Sequence, residues 1–344
     1  MKLFRTLCFF AGTALSGIAA SSALLSLEFI YEKAGYPSCH ASTIVESATG
    51  GLVAAWFGGT AEKNPDVGIW VSRFENNRWT PGVEVANGVQ ADGKRHPTWN
   101  PVLFQPRGQV PLQLYYKVGP SPQTWWGELR SSADGGRTWS AARRLPDGIY
   151  GPIKNKPVQL ADGTILSPTS DETDERPSKW RVYFERSTDG GATWTKTPFL
   201  NDGLAVAAIQ PSILFHDGIG GAKLQAVGRT RQGKVFTVSS ENAGKSWGEM
   251  LLLPLANPSS GTDAITLKDG RHLIVYNPVP KGRTPLTVAL SRDGREWKDV
   301  ITLEDQPGEY SYPAIIQTSD GRVHVTYTWK RQRIRHAVLD PAKL

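Results

Sequence analysis

The chain of 344 residues contains 39 basic and 32 acidic side chains, a net charge of +7 that is scattered along the sequence. Scattered positive charge favours an anionic ligand or surface and argues against a dedicated nucleic-acid-binding arm. The high counts of glycine (35), proline (24) and tryptophan (12) predict an all-β protein with many short strands and many turns.

Residues 1–23 show the order of charge and apolarity that is typical of a secretory signal peptide. Lys2 and Arg5 precede an apolar stretch that runs to about Ala20, and small residues follow it. We expect cleavage near Ala23, with an uncleaved anchor as the alternative. Cleavage predicts a periplasmic or secreted protein that is not attached to a membrane.

The remaining sequence offers no pattern for a metal or a cofactor. Cys39 is the only cysteine after the predicted cleavage site, which excludes an intramolecular disulfide and a cysteine-rich metal site. The six histidines are spread out without a ligand spacing, and there is no phosphate loop or dinucleotide fingerprint. We therefore predict no metal and no cofactor.

Five segments that end in tryptophan recur along the chain. Four match Ser-x-Asp-x-Gly-x-Thr-Trp to differing degrees and one is degenerate; they begin at the serines 72, 132, 187, 240 and 291. The successive intervals are therefore 60, 55, 53 and 51 residues. Further Asp-Gly hairpin signals lie between the copies. Four strands in a period of this length describe one blade of a β-propeller.

Each copy has the chemistry of a hairpin turn. An aspartate can accept backbone N–H bonds across the turn, glycine supplies positive φ, and tryptophan folds back over the hairpin. Asp134, Asp189 and Asp293 are therefore predicted to be structural.

The repeats resemble the Asp boxes of the sialidase superfamily, whose members are six-bladed β-propellers. The resemblance covers roughly residues 36–340 and implies a single domain of six four-stranded antiparallel blades. Five copies and the C-terminal segment 307–340 account for the six blades. We expect the early strand ASTIVES, residues 41–47, to complete the last blade and close the ring.

The same resemblance implies candidate active-site residues, position by position. His40 falls where the family has its first arginine, and Asp66 falls where it has an acid/base aspartate. Gln210 replaces the glutamate of the family. Arg229 and Arg283 match its second and third carboxylate-binding arginines.

The segment EYSYPAII, residues 309–316, resembles the Y-S-x-L motif of the final sialidase blade and offers Tyr310 as the nucleophile. A neutral phenol suits an anionic sugar, because such a sugar repels a carboxylate nucleophile. Gln210 cannot accept the phenol proton. Glu309, His40 or a cationic surround that lowers the pKa of the phenol would have to assist.

Other basic and aromatic residues are candidates for ligand contact. Tryptophan faces bind sugar rings, and a Lys-Asn-Lys segment between two prolines is constrained. The alternatives are a tryptophan that fills a core and a lysine that is solvated. The candidates are Lys117, Trp125, Trp126, Lys154, Lys156 and Arg231. Of these, Arg231 lies two residues after Arg229 and should share its face.

Three functions are compatible with these residues. The first is a secreted, sialidase-like exo-glycosidase for an acidic or modified sugar, with Tyr310 as nucleophile and Asp66 as acid/base. The second is a β-propeller polysaccharide lyase or histidine-dependent glycosidase, in which His40 and Tyr310 transfer protons beside a uronate. The third is a non-catalytic glycan-binding propeller. The expected partner is an acidic oligosaccharide or glycoconjugate and not a nucleic acid, and we expect a monomer.

Overall fold

A computed structural model describes residues 22–108 and 110–344, in which 25 β-strands form six antiparallel sheets. The sheets surround one axis as the blades of a β-propeller, which confirms the predicted fold class. Beside the strands, the described residues contain one short 3-10 helix, Pro341–Lys343. No helix in the described ranges is long and apolar enough to cross a membrane. Residues 1–21 of the predicted signal peptide lie outside these ranges.

The strands follow one another blade by blade, each blade starting at the axis. The first strand of the chain, β1 (Leu24–Phe29), belongs to the last blade. Blade 1 contains β2 (Ser38–Glu46), β3 (Leu52–Gly59), β4 (Gly68–Glu75), β5 (Arg78–Trp79) and β6 (Val83–Ala86). Blade 2 contains β7 (Thr98–Phe104), β8 (Leu112–Val118), β9 (Trp126–Ser132) and β10 (Arg143–Arg144). Blade 3 contains β11 (Val158–Gln159), β12 (Ile165–Glu172), β13 (Trp180–Ser187) and β14 (Thr195–Lys196).

The second half of the ring has the same plan. Blade 4 contains β15 (Ala208–Phe215), β16 (Leu224–Thr230), β17 (Lys234–Ser240) and β18 (Leu251–Ala256). Blade 5 contains β19 (Asp263–Thr266), β20 (His272–Tyr276), β21 (Leu286–Ser291) and β22 (Lys298–Glu304). Blade 6 contains β23 (Tyr310–Gln317), β24 (Val323–Trp329), β25 (Arg333–Leu339) and β1.

The ring is closed by β1 and not by residues 41–47, so that expectation was wrong. β1 pairs antiparallel with β25, with Leu27 opposite Ala337. The segment ASTIVES lies in β2, the innermost strand of blade 1. An alternating segment fits several places in a sheet, and β1 was overlooked because it precedes the predicted domain start at residue 36.

The repeated segments form turns after the third strand of their blades. Asp134 is representative, because its carboxylate accepts hydrogen bonds from the N–H of Thr138 (2.9 Å), Ser132 Oγ (2.8 Å) and the N–H of Arg137 (3.0 Å). The bond from the Thr138 hydroxyl (2.6 Å), together with those from the Thr138 N–H and from Ser132, holds the pKa of Asp134 below its usual range. Since neighbouring strands are antiparallel, these turns lie at the face opposite to the N-terminal ends of the innermost strands.

Four innermost strands have a β-bulge near their N-terminal ends. Each bulge contains a non-glycine residue with positive φ: Ala41 (56°), Asn100 (38°), Gln210 (58°) and Tyr312 (51°). The last three precede a proline. A bulge breaks the alternation of a strand and changes the direction of its side chains. The candidate site lies at this end of the axis.

Candidate functional site

The centre of the site is a pair of aromatic rings from neighbouring blades. His40 of blade 1 and Tyr312 of blade 6 have ring centroids 4.1 Å apart, and Phe57 packs edge-on against His40 at 5.7 Å. His40 is 2% exposed and Tyr312 is 9% exposed. Within the described part of the chain, Nδ1 of His40 is buried without a hydrogen-bond partner. One imidazole nitrogen is therefore buried with its hydrogen-bonding capacity unsatisfied.

Three arginines and one buried lysine surround this pair. Cζ of Arg229 lies 5.5 Å from the ring centroid of Tyr312, and Nζ of Lys154 lies 5.8 Å from it. Burial and then the nearby charges of Arg331, Arg283, Arg229 and Lys154 hold the pKa of His40 well below its usual value. The imidazole is thus neutral at physiological pH. We call His40, Lys154, Arg229, Arg283, Tyr312 and Arg331 the axial cluster.

Tyr310, the nucleophile predicted from the sequence, is not part of the axial cluster. It is 1% exposed and packs in the apolar core beside Leu286, Ile315 and Tyr327. Burial raises the pKa of its phenol. Residues i and i+2 of a strand share a face only if the strand is regular. The bulge at Tyr312 interrupts the strand, so Tyr310 and Tyr312 do not share a face.

Glu309 joins two of the cationic residues. Its Oε1 accepts hydrogen bonds from Nη1 of Arg283 and from Nε of Arg331, both at 2.7 Å. Nη1 of Arg331 also donates to Oε2 of Glu62 at 2.6 Å. Burial opposes ionisation, but Arg331 and Arg283 hold the pKa of Glu309 below its usual value. Sequence analysis missed Arg331, because its only signal is a place in a short turn between two strands.

The Lys-Asn-Lys segment lies inside the propeller, where protein groups bind its side chains. Nζ of Lys154 donates to Asn155 Oδ1 (2.7 Å) and to the carbonyls of Thr262 (2.9 Å) and Pro313 (2.6 Å). Nζ of Lys156 donates to Oδ2 of the buried residue Asp263 at 2.8 Å. These contacts join blades 5 and 6 to the entry of blade 3, so both lysines have a structural role at the axis.

Gln210 occupies the bulge of blade 4 and is 2% exposed. Its carbonyl accepts a hydrogen bond from Asn155 Nδ2 at 2.9 Å, and its N–H donates to Ser170 Oγ at 3.2 Å. Its side-chain Oε1 is buried, with no partner among the described residues. An amide there can accept a hydrogen bond from a ligand, but it cannot remove a proton.

Asp66 lies in the exposed loop between β3 and β4, at the same face as the axial cluster. Its Oδ2 accepts hydrogen bonds from Oγ1 of Thr60 (2.7 Å) and from the N–H of Thr60 (2.8 Å). The bond from the Thr60 hydroxyl is the main cause that lowers the pKa of Asp66. The carboxylate therefore lies on the same face of the propeller as the axial cluster, in a loop of blade 1.

Three further candidates are held in packing interactions. Lys117 is buried and donates to the carbonyl of Pro152 at 2.8 Å, and burial lowers the pKa of its amine to about 7. Trp125 packs edge-on against Trp99 at 6.0 Å. Nε1 of Trp126 donates to Glu128 at 3.0 Å. These contacts give each residue a role in the core.

Arg231 and Arg229 share one aromatic partner. Their Cζ atoms lie 4.1 Å and 5.2 Å from the ring of Trp180, which sequence analysis did not identify. Nη1 of Arg231 also donates to the carbonyl of Ser178 at 2.6 Å. Arg231 is exposed, so it extends the positive surface outward from Arg229. In the described ranges, no group of three His, Cys, Asp or Glu residues is placed to hold a metal ion.

The fold and the ring of cations around the axis define a sialidase-like β-propeller. The BNR repeat-like domain family matches residues 50–325, and the chain belongs to this family. A sialidase from Bacteroides fragilis is 24% identical over an alignment of 232 residues, which covers 63% of this chain and 41% of that protein. The chain thus matches less than half of that relative's length.

Solved structures show the same fold. A protein of unknown function from Dyadobacter fermentans has a TM-score of 0.76 at 16% identity and covers 92% of this chain and 98% of its own. The Hadza microbial sialidase Hz136 has a TM-score of 0.74 at 16% identity, over 89% of this chain and 66% of that one.

Proposed function

We propose that the protein is an exo-glycosidase for a sugar that carries a carboxylate, with Tyr312 as the nucleophile in place of Tyr310. The observation that carries the proposal is the contact between Tyr312 and neutral His40, with three arginines and the buried Lys154 around them. A carboxylate is the natural ligand for these arginines. The similarity to proteins described as sialidases supports the same substrate class.

The first half of the reaction forms a bond between the sugar and the enzyme. Oη of Tyr312 attacks the anomeric carbon, and its proton passes to His40. The bond from the anomeric carbon to the leaving oxygen breaks, and Asp66 gives that oxygen a proton. His40 takes the role of base because Gln210, at the position of the family's glutamate, has no basic oxygen.

The second half restores the enzyme. Water attacks the anomeric carbon and gives one proton to Asp66. The bond to Tyr312 breaks, and the phenolic oxygen recovers its proton from His40. The cations hold the carboxylate of the sugar throughout, and this fixes the face that is attacked.

A second candidate is a lyase for uronate-containing glycans. The observation that favours it is that His40, and not a carboxylate, packs against Tyr312. His40 would take the proton from C5 of the uronate, Tyr312 would give a proton to the oxygen on C4, and the C4–O bond would break. A double bond between C4 and C5 would result, which absorbs ultraviolet light.

Two tyrosine variants, assayed on a panel of acidic oligosaccharides and aryl glycosides, test the proposal. Tyr312→Phe should lower kcat by at least about 100-fold, because phenylalanine has no oxygen to form the bond to the sugar. Tyr310→Phe removes a hydroxyl from the core and should retain activity. Near-normal turnover by Tyr312→Phe would refute the nucleophile.

The products decide between the candidates. Release of a reducing sugar without ultraviolet absorbance supports the glycosidase, whereas an absorbing product supports the lyase. Binding without any product would leave a glycan-binding propeller.

A further inference from the structure

Three titratable side chains form a hydrogen-bonded row across blade 6, where the ring closes. Nδ1 of His324 lies 2.9 Å from Nε2 of His336, and the two rings are parallel within 7°. Nδ1 of His336 lies 3.1 Å from Oε1 of Glu28. These residues belong to β24, β25 and β1. Both imidazoles are buried, whereas the Glu28 side chain is 42% exposed. We call His324 and His336 the histidine pair.

The histidine pair lies at the seam between blade 6 and blade 1, where the two ends of the ring meet. Trp79 of blade 1 packs edge-on against His336 at 5.2 Å, and Phe74 of the same blade lies 6.4 Å from that ring. The contact between His40 and Tyr312 joins the same two blades. A separation of the blades that exposes the pair to water would therefore also disturb the centre of the candidate site.

The hydrogen bonds limit how many protons the pair can hold. A neutral imidazole has one N–H donor and one acceptor nitrogen. When Nδ1–H of His336 donates to Glu28, its Nε2 accepts, and His324 supplies the N–H between the rings. One added proton can be held with a single N–H still between the rings. A second added proton puts hydrogen on both facing nitrogens and places two positive charges side by side in a buried site.

The surrounding charges do little to offset a second proton. Burial and then the charge of His336 lower the pKa of His324 to about 4. Asp320 and Arg322, in the turn between β23 and β24, act on His324 in opposite directions and form an exposed ion pair. The blade 1 rings that pack against the pair are uncharged. Among the described residues, Glu28 is therefore the carboxylate that is hydrogen-bonded to the pair.

We propose that the histidine pair is an acid-sensitive latch on the closed ring, and that uptake of a second proton opens the seam between blade 6 and blade 1. An imidazole in water has a pKa of about 6.5. Between that value and about 4, the open seam binds a proton at His324 more readily than the closed seam. The open fraction should therefore increase by up to about tenfold for each unit of pH decrease in this window. The inference concerns blade packing and does not require the proposed function.

Cys39 provides a native reporter of the seam. It is fully buried and packs in one apolar cluster with Trp56 of blade 1 and Ile334 of blade 6. In the full chain with Cys8→Ser, Cys39 is the single thiol. The probe is dithiodipyridine, and the rate of modification is divided by that of free cysteine at the same pH, which removes the effect of pH on the thiol. This normalised rate should increase at least about tenfold from pH 6.5 to pH 4.5.

Two histidine variants separate opening of the seam from global unfolding. In His324→Asn the amide N–H replaces the donor to His336 but does not titrate, so the increase should shrink to less than about threefold. His272→Asn is the matched control. His272 is buried beside His216, at 4.8 Å between ring centroids, and burial lowers its pKa to about 4 as well, but it lies in blade 5. This variant should keep the full increase.

The outcomes decide the proposal. A normalised rate that does not change with pH in the wild type overturns the latch, and so does a full increase in folded His324→Asn. An equal reduction of the increase by His324→Asn and His272→Asn also overturns it, because global unfolding would then expose the thiol. Circular dichroism at pH 6.5 shows whether each variant is folded.

Glu28→Gln is a second test at a partly exposed position. It removes the negative charge beside the pair, so the normalised rate at pH 4.5 should exceed that of the wild type. A rate equal to or below that of the wild type would contradict the latch. Because the readout is a thiol and not turnover, these results hold whether or not the protein cleaves a glycoside.

Discussion

At the scale of single residues, one backbone torsion decides which tyrosine reaches the axis. In a regular strand Tyr310 and Tyr312 would lie on the same face. The register shifts between Ser311 and Ala314, and Tyr312 has a φ of 51°. Tyr310 consequently packs between blades, whereas Tyr312 meets His40. Sequence alternation cannot show this difference, because a bulge depends on the register with the neighbouring strand.

The proposed acid and base lead to a prediction about pH. We expect kcat/KM for glycosides with poor leaving groups to rise as the pH falls from 7 to 5. The Thr60 hydroxyl lowers the pKa of Asp66, so its acid form increases about tenfold for each unit of pH decrease in this range. Burial and the neighbouring cations hold the pKa of His40 well below its usual value, so the rise in activity is assigned to Asp66.

Activated aryl glycosides provide the control for this pH profile. Their leaving groups depart without a proton, so kcat/KM should be nearly flat over the same range. Asp66→Asn should abolish the slope for poor leaving groups and change kcat/KM for aryl glycosides little, because this ratio covers only the steps up to departure of the aryl group. A slope that survives in Asp66→Asn would show that another group supplies the proton.

The candidate site is only partly predictable from the sequence. His40, Arg229 and Arg283 follow from their places in family-like motifs, and the structure brings them to one end of the axis. The sequence also made Lys154 a candidate for ligand contact, but its amine is hydrogen-bonded to carbonyls of other blades. Arg331 lies in no motif, because its position depends on how blade 6 meets blade 1. Contacts between blades are long-range and leave no local pattern.

At the scale of secondary-structure elements, the repeated turns are the most predictable feature. Their chemistry is local, since serine, aspartate and glycine form one hairpin, and their spacing counts the blades. The ring closure is less predictable. β1 is a single strand without a repeat, and only its pairing with β25, more than 300 residues away, defines its role.

Strand β1 should be necessary for full stability. A chain that lacks residues 24–30 should unfold at a temperature lower by more than about 5 °C, since 1 kcal/mol shifts the midpoint by roughly 2–4 °C in domains of about 150–250 residues and the deletion removes a whole strand. The deletion removes the pairing with β25 and the apolar contacts of Leu27 and Ile30. It also leaves β25 as an open edge.

A chain that begins at residue 24 keeps β1 and is the control for that deletion. Differential scanning calorimetry of the two proteins measures the contribution of the strand. Equal midpoints would show that β1 adds nothing to the ring. Concentration-dependent aggregation of the shorter protein is a second expected sign, because an unpaired edge strand can recruit another chain.

At the scale of the whole molecule, the blades are connected at the axis by one buried lysine. Lys154 enters from blade 3 and donates to the carbonyls of Thr262 and Pro313, next to blade 5 and in blade 6. Gly261 allows this close approach, since a Cβ there would lie 3.0 Å from Cε of Lys154 and 3.3 Å from the ring of Tyr312. The arrangement therefore links blade packing to the position of the proposed nucleophile.

The free energy of unfolding should depend on pH through Lys154. Burial lowers the pKa of its amine to about 7, whereas lysine in an unfolded chain has a pKa of about 10.4. Between these values the unfolded chain binds more protons, so stability rises with pH, by up to about 1.4 kcal/mol per unit. Lys154→Met lacks this dependence. The free energy of unfolding of the wild type should therefore increase relative to that of the variant as the pH increases.

Urea denaturation at pH 7.5 and at pH 9 measures this effect as the change in the stability difference between wild type and Lys154→Met. Lys117 has a similarly lowered pKa, but it is present in both proteins and cancels in the difference.

Lys268→Met is the matched control, because Lys268 also donates to two carbonyls of blade 6, those of Thr318 and Ser319, at 2.9 Å each, but from an exposed position. Water can replace those contacts, so its loss should change the free energy of unfolding by less than about 1 kcal/mol at either pH. A stability difference for Lys154→Met that is the same at both pH values would show that the buried amine does not exchange its proton on unfolding, and that the blades are not linked through its titration.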